Sequence, residues 1–98
     1  MSRRKVNDEE IKAALETLPG WEVKAGKLHK NYKFASFAEA MGWMVSVALY
    51  ADKLDHHPDW CNGYNKVEVN LMTHDLGALS TYDLDLAGRM EELAGQSG

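Results

Sequence analysis

Apolar residues recur at helical spacing in three stretches of the chain and alternate with polar residues in the stretches between them. Ile11, Leu15 and Leu18 form the first helical stripe. Asn7 stands ahead of it as a cap for the free N–H groups, and Glu10 three residues on completes a capping box. Pro19-Gly20 ends that helix. Trp21 to Lys24 and Leu28 to Phe34 alternate, and Ala25-Gly26 between them predicts a short hairpin turn. Ser36 with Glu39 is a second capping box and opens the main helix, expected over Phe37 to Leu54. Pro58 forbids its continuation and pushes His57 towards an extended conformation. Asp59 to Asn65 reads as a strand, with a bulge or turn at Asn62-Gly63 or Tyr64-Asn65. Lys66 to Thr73 alternates strongly, placing Val67, Val69, Leu71 and Thr73 on one face, the signature of a half-buried antiparallel strand. After a loop from Asp75 to Leu79, Ser80-Thr81-Tyr82-Asp83 opens the last helix, with Leu84, Ala87, Met90 and Leu93 inward and Gly95 to Gly98 as a loose end. The expected fold is α+β in the order α-β-β-α-β-β-α: a four-stranded antiparallel sheet with three helices on one face.

The main helix carries two apolar faces. Phe37, Met41, Met44, Val45, Ala48 and Leu49 make one; Ala40, Trp43, Val47, Tyr50 and Leu54 make the other. A surface helix of a small domain needs one stripe only. The second face, with Trp43, Val47 and Tyr50, is therefore expected to pack against another copy of the chain in a homodimer or homotetramer. The alternative is a helix sunk deep in its own fold.

Composition narrows the class. Residues 1–98 have room for one domain, and a 45% hydrophobic, 27% charged chain is ordinary for a globular protein. A net charge of -4 without a basic stripe argues against direct binding of nucleic acid. Arg3-Arg4-Lys5 reads as a solvated, frayed terminus. The longest nearly apolar run, Ala40 to Ala51, is short of the roughly 20 residues that span a bilayer, so no membrane is expected. A single cysteine, Cys61, forbids an internal disulfide, and the first residues lack a signal-peptide core. Both features suit the cytoplasm.

The stretch Asp52-Lys53-Leu54-Asp55-His56-His57-Pro58-Asp59-Trp60-Cys61-Asn62-Gly63-Tyr64-Asn65 is too polar for ordinary core and sits at a helix-to-strand junction. His56 and His57 lie there, and His74 closes the following strand. Imidazoles titrate near neutrality and can give and take protons at working pH. Adjacent side chains on an extended segment point in opposite directions, so His56 and His57 should take different jobs. The same opposition disfavours a metal site, and neither Cys-x-x-Cys nor His-x-x-x-His occurs. Cys61 reads as a buried inert thiol, and His29 on its alternating strand as a solvent-facing imidazole. Gly63, Gly77 and Gly88 fit no phosphate-loop spacing. Asp83, third in its helix, favours the helix dipole whether or not it meets a ligand. Trp60 is either a core indole or an aromatic wall for a flat ligand.

Asp55-His56-His57-Pro58-Asp59-Trp60, Asn62-x-Tyr64-Asn65-Lys66-Val67, Thr73-His74-Asp75 and Leu84-Asp85-Leu86-Ala87 together resemble the pterin-4a-carbinolamine dehydratases, known in animals also as the dimerisation cofactor of a homeodomain transcription factor. The resemblance spans nearly the whole chain. It implies a hydro-lyase that dehydrates 4a-hydroxytetrahydropterins to quinonoid dihydropterins, recycling a tetrahydrobiopterin-type cofactor without metal or redox cofactor. It implies that His56 and His74 are general acid and base, that His57 chiefly binds the pterin, and that Asp52, Asp55, Asp83 and Trp60 are substrate-site residues. Relatives often carry Glu where Asp52 stands, so its reach is shorter here. The resemblance also implies an oligomer built through the central helix, a surface that in animals instead binds the transcription factor. A protein-interaction module, coactivator or assembly factor, acting through that helix is the alternative function.

Overall fold

The computed structural model describes residues 3–97. In chain order they form α1 (Asp8–Leu15), β1 (Glu22–Lys24), β2 (Lys27–Lys33), α2 (Phe37–Leu54), β3 (Asp59–Gly63), β4 (Lys66–Leu71), a 3-10 turn (His74–Leu76) and α3 (Thr81–Ser97). The four strands make one antiparallel sheet in the order β1-β2-β4-β3. The order of elements and the architecture are those expected from the sequence.

Strand alternation divides the sheet into two chemistries. Leu28 and Tyr32 of β2 and Val67, Val69 and Leu71 of β4 are buried beneath the helices. The other face carries the cross-strand row Glu22, His29, Asn70, Asp59. Two-residue β1-β2 reversal places both Ala25 (φ 53) and Gly26 (φ 78) in the left-handed region, the geometry that fits the twist of a tight hairpin. Asn7 and Glu10 form the full capping box of α1. Arg4 adds two bonds to Glu10, at 3.0 and 2.6 Å, and these bonds, with the Asn7 backbone N–H, hold the Glu10 carboxyl down to about 2.

Four expectations about the elements change. The first helix stops at Leu15, and Leu18 reaches the core from the turn that follows. The Arg3-Arg4-Lys5 segment is tied down: Lys5 bridges to Ser80, Thr81 N–H bonds Arg4 carbonyl at 2.9 Å, Val6 N–H bonds Leu79 carbonyl at 3.1 Å, and Arg3 pairs with Asp75. Gly95 to Ser97 continue α3, and Gly98 lies outside the described residues. In α3 it is Leu86, with Ala87 and Met90, that is wholly buried, while Leu84 is half-buried.

The largest correction concerns α2. Trp43 and Val47 lie in the chain's own core at 2% and 0% exposure, so they cannot be an interface with another copy. Trp43 packs against Tyr32, Phe34 and Trp60 with ring centroids 4.5, 5.1 and 5.9 Å away, and its indole N–H bonds the Met90 carbonyl at 3.1 Å. Tyr50 is half-buried and its hydroxyl bonds Asp85 on α3 at 2.9 Å. Periodicity identifies two stripes without saying which faces in. The choice follows from size: the indole fills the space over the sheet and finds a partner for its N–H, which Met and Val on the other stripe have no need of. The stripe left outside is Phe37, Met41, Val45 and Leu49, with Val45 59% and Leu49 71% exposed.

Among the described residues, no helix is long and apolar enough to cross a membrane.

Candidate active site

The end of α2 and the two strand ends beside it build the site. Asp55 follows α2 in the left-handed conformation (φ 55, ψ 44), which Asp tolerates better than most residues. Its N–H returns to the Asp52 carbonyl at 3.2 Å, and the His56 N–H to the Ala51 carbonyl at 3.0 Å. This pair of bonds closes the helix and fixes the backbone of His56. Beyond it the chain has no regular structure through Pro58, and His56 is buried while His57 is exposed, so the two side chains diverge as the sequence implies.

His56 turns inward and is 7% exposed. Its Nε2 meets Asp83 Oδ1 at 2.6 Å. Asp83 is wholly buried, and its Oδ2 accepts from the Thr73 hydroxyl and from the Ser80 backbone N–H, each at 2.8 Å. The Thr73 proton is thereby committed, so the Ser80 hydroxyl donates across the 2.6 Å contact between the two. Tyr82 N–H in turn bonds the Ser80 hydroxyl oxygen at 3.2 Å. Because Asp83 Oδ1 accepts, the network assigns the proton to His56 Nε2 and leaves Nδ1 as the ring nitrogen free to act. Asp83 is wholly buried and does not line the cleft, contrary to the substrate contact expected of it; it orients the His56 ring. Ser80 and Asp83 also cap the start of α3, so the same carboxylate serves both purposes.

His57 turns outward, with Nε2 2.9 Å from Asp52 Oδ1. Both side chains are well exposed, at 61% and 82%, so the contact orients His57 but adds little stability. Asp52 thus meets the site through His57. His74 opens the 3-10 turn, which Gly77 closes in the left-handed region (φ 61). Thr73 anchors that turn from below through its backbone bridge to Ala78 and its hydroxyl on Asp83.

These ends enclose a cleft of about 320 Å³ lined by Asp55, His56, His57, Met72, Thr73, His74 and Asp75. A recess of about 10 Å³ on the open sheet face adjoins it, sharing His57, Met72 and His74 and adding Lys27, Asp59 and Asn70. A larger hollow of about 470 Å³ lies at the far end of the sheet, between Tyr32, Cys61 and Lys66 among others, but it contains no histidine. The cleft is the candidate site because the proton-carrying groups converge there.

The structure thus brings His56, His57, His74 and Asp55 to one cleft and places Asp83 and Asp52 behind two of the histidines. It does not bring Trp60 there: the indole is half-buried against Trp43 at the sheet's inner face. Cys61, next along β3, points the opposite way and is exposed, correcting the buried thiol expected from sequence. His29 is not solvent-facing either; it is 3% exposed, with Nδ1 2.9 Å from Asn70 Oδ1. Thr73, Ser80 and Asn70 escaped sequence reasoning. The signal available for the first two was a pair of hydroxyl residues flanking a His-Asp turn and a helix start. Among the described residues, no group of three His, Cys, Asp or Glu side chains is arranged to hold a metal ion.

On this α+β scaffold a buried His-Asp pair and two further histidines surround one cleft, a constellation with the groups that acid–base chemistry requires. Residues 4–93 match the family described as "Pterin 4 alpha carbinolamine dehydratase". The chain is 43% identical over 90 residues to a Solibacter usitatus protein named "Putative pterin-4-alpha-carbinolamine dehydratase", covering 92% of this chain and 95% of that one. It is 49% identical over 77 residues to a Synechococcus sp. protein of the same name, covering 79% and 83%. A crystal structure from Brucella melitensis, described as a "transcriptional coactivator/pterin dehydratase", superposes with a TM-score of 0.88 at 39% identity, over 93% of this chain and 99% of that one. A "pterin dehydratase-like protein" described as a "RuBisCO assembly factor in the alpha-carboxysome" superposes at 0.63 with 25% identity, over 76% and 87%. The chain belongs to the pterin-4-alpha-carbinolamine dehydratase family.

Proposed function

We propose that the chain dehydrates 4a-hydroxytetrahydropterin to quinonoid dihydropterin by general acid–base catalysis. The observation that carries the reading is the His56–Asp83 pair, which leaves Nδ1 of a buried imidazole as its free nitrogen at a cleft shared with His57 and His74. In the reaction the 4a C–O bond breaks and its oxygen leaves as water after taking a proton, while the neighbouring ring N–H gives up its proton as the C=N bond forms. One proton enters and one leaves, with no change in oxidation state. His56 is assigned the base, since the positive charge it gains lies against the Asp83 carboxylate; His74, at the open rim, is assigned the acid. His57 holds the pterin, oriented by Asp52, and Asp55 contributes a carboxylate for the pterin's N–H groups. A cleft of this volume falls within the range that takes small bicyclic ligands.

Stopped-flow observation of chemically or enzymatically generated 4a-hydroxytetrahydropterin tests this directly. The wild-type chain should accelerate loss of the 4a-hydroxyl well above the spontaneous rate. His57→Ala should raise KM by about 3- to 10-fold, the loss of one hydrogen bond, with kcat little changed. A spontaneous rate in the presence of the wild-type chain sinks the reading.

The outer stripe of α2 supports a second, compatible reading: the chain associates with itself, or with a protein partner, through Phe37, Val45 and Leu49 rather than through the buried Trp43 and Val47. Large apolar side chains at this exposure in a row mark a contact surface. Leu49→Lys should lower the mass measured by sedimentation equilibrium without moving the far-UV spectrum. A mass that stays at one chain for both proteins, with no partner lost, overturns it.

A further inference from the structure

We propose that the recess beside the cleft is a hydroxyl subsite, in which Asn70, held by His29, bonds a hydroxyl on the side chain of the pterin substrate. This rests on the pterin reading of the cleft. The sheet register sets the geometry. Asn70, Met72 and His74 follow one another at every second position, as do His57 and Asp59 on the neighbouring segment, so all five emerge on the open face. His29 lies directly across from Asn70 in the same row.

The His29–Asn70 contact is unusual for an open sheet face. Histidine there is normally solvated, yet His29 is 3% exposed and bonded at 2.9 Å. The amide oxygen can only accept, so His29 Nδ1 donates and the amide is pinned with Oδ1 towards β2. Its Nδ2 donors, which make no protein hydrogen bond among the described residues, are then left for the recess. Asp59 lines the recess beside it and supplies an acceptor, and Lys27 a second donor. A volume of about 10 Å³ admits one water-sized group. A hydroxyl is that size and both gives and accepts; a methyl would leave the amide and the carboxylate unpaired. Since cleft and recess share His57, Met72 and His74, a ring in the cleft can extend its substituent into the recess.

The test compares two 4a-hydroxytetrahydropterins, one with a dihydroxypropyl substituent at C6 and one with a methyl. Asn70→Ala should raise KM for the hydroxylated substrate by about 3- to 10-fold, with kcat within about two-fold, and leave the methyl substrate unaffected. Asn70→Asp keeps the acceptor that His29 holds, removes the donor and should behave alike; it stands in if Asn70→Ala does not fold. His29→Phe should show the same selectivity loss, and His29→Gln, which retains a donor, should restore part of it. Turnover of the methyl substrate at the wild-type rate reports an intact fold in each variant. Equal KM changes for both substrates, or none for either, overturn the subsite and leave the dehydratase reading standing. A wild-type chain that turns over neither substrate overturns that reading and the subsite with it.

Discussion

His56→Ala will lower kcat for dehydration by about 10²- to 10⁴-fold, and Asp83→Asn will cost a similar factor without removing the imidazole. The second result is the more telling. Asp83 Oδ1 accepts from His56 Nε2 and Oδ2 is already held by Thr73 and Ser80. An asparagine cannot satisfy this set: the Oδ2 side demands an acceptor, so the amide oxygen goes there and the NH2 group faces His56. A donor facing Nε2 drives the ring proton to Nδ1, which then no longer offers a lone pair. KM should hardly move, because neither residue is assigned a binding contact. The double variant His56→Ala/Asp83→Asn should be no slower than His56→Ala alone, since an asparagine still accepts from Thr73 and Ser80 and alters only the side that faces His56. His74→Ala removes the acid from an exposed position and should lose a comparable factor in kcat with no change in thermal midpoint. Full activity in Asp83→Asn, or a multiplicative loss in the double variant, rules out the positioning role.

Why the sequence revealed the histidines but misjudged their surroundings follows from the range over which pattern acts. Helix starts at Asn7, Ser36 and Ser80 are local chemistry, and each forms where its cap residues stand. The divergence of His56 and His57 is also local, set by the left-handed Asp55 and by Pro58. By contrast, the partner of His56 lies 27 residues away, and no periodicity links β4, the 3-10 turn and α3. His29 and Asn70, 41 residues apart, look like ordinary polar positions until the register aligns them. The two faces of α2 were visible, but which one meets the sheet depends on the aromatic residues Tyr32, Phe34 and Trp60 gathered from other strands. Cys61 is expected buried and proves exposed, and Trp60 stays open between core and ligand wall, for the same reason: a strand's alternation is legible, whereas its phase is set by what covers it.

Glu91 shows the same non-local logic at the edge of the core, and its removal should destabilise the fold markedly. One oxygen, Oε2, accepts from the Trp21 indole at 3.1 Å, from the Lys30 ammonium at 2.7 Å and from the Tyr32 hydroxyl, joining α3 to β2 and to the residue ahead of β1. Burial alone would raise this carboxyl, but bonds from Lys30, Tyr32 and Trp21 outweigh it and the net shift is downward. Glu91→Ala leaves three donors without their acceptor in a region where Lys30 and Glu91 are only 17% and 20% exposed, and should cost about 2–4 kcal/mol. For a domain of this size that is a fall of about 10–20 °C in thermal midpoint. The pH dependence gives the result its direction. Because the folded-state carboxyl lies below its unfolded value, its contribution is fully present above the ordinary carboxylate range and is lost as pH falls through the folded value. The stability gap between wild type and Glu91→Gln should therefore be constant from about pH 6 to 8 and narrow below about pH 4. At the alkaline end, burial first and then the Glu91 carboxylate push the Tyr32 phenol upward, so the unfolded chain ionises before the folded one and stability falls above about pH 10. Chemical denaturation across this range, read by tryptophan fluorescence, checks both limbs. A gap that widens on acidification would mean that Glu91 is not held as a carboxylate by these three donors.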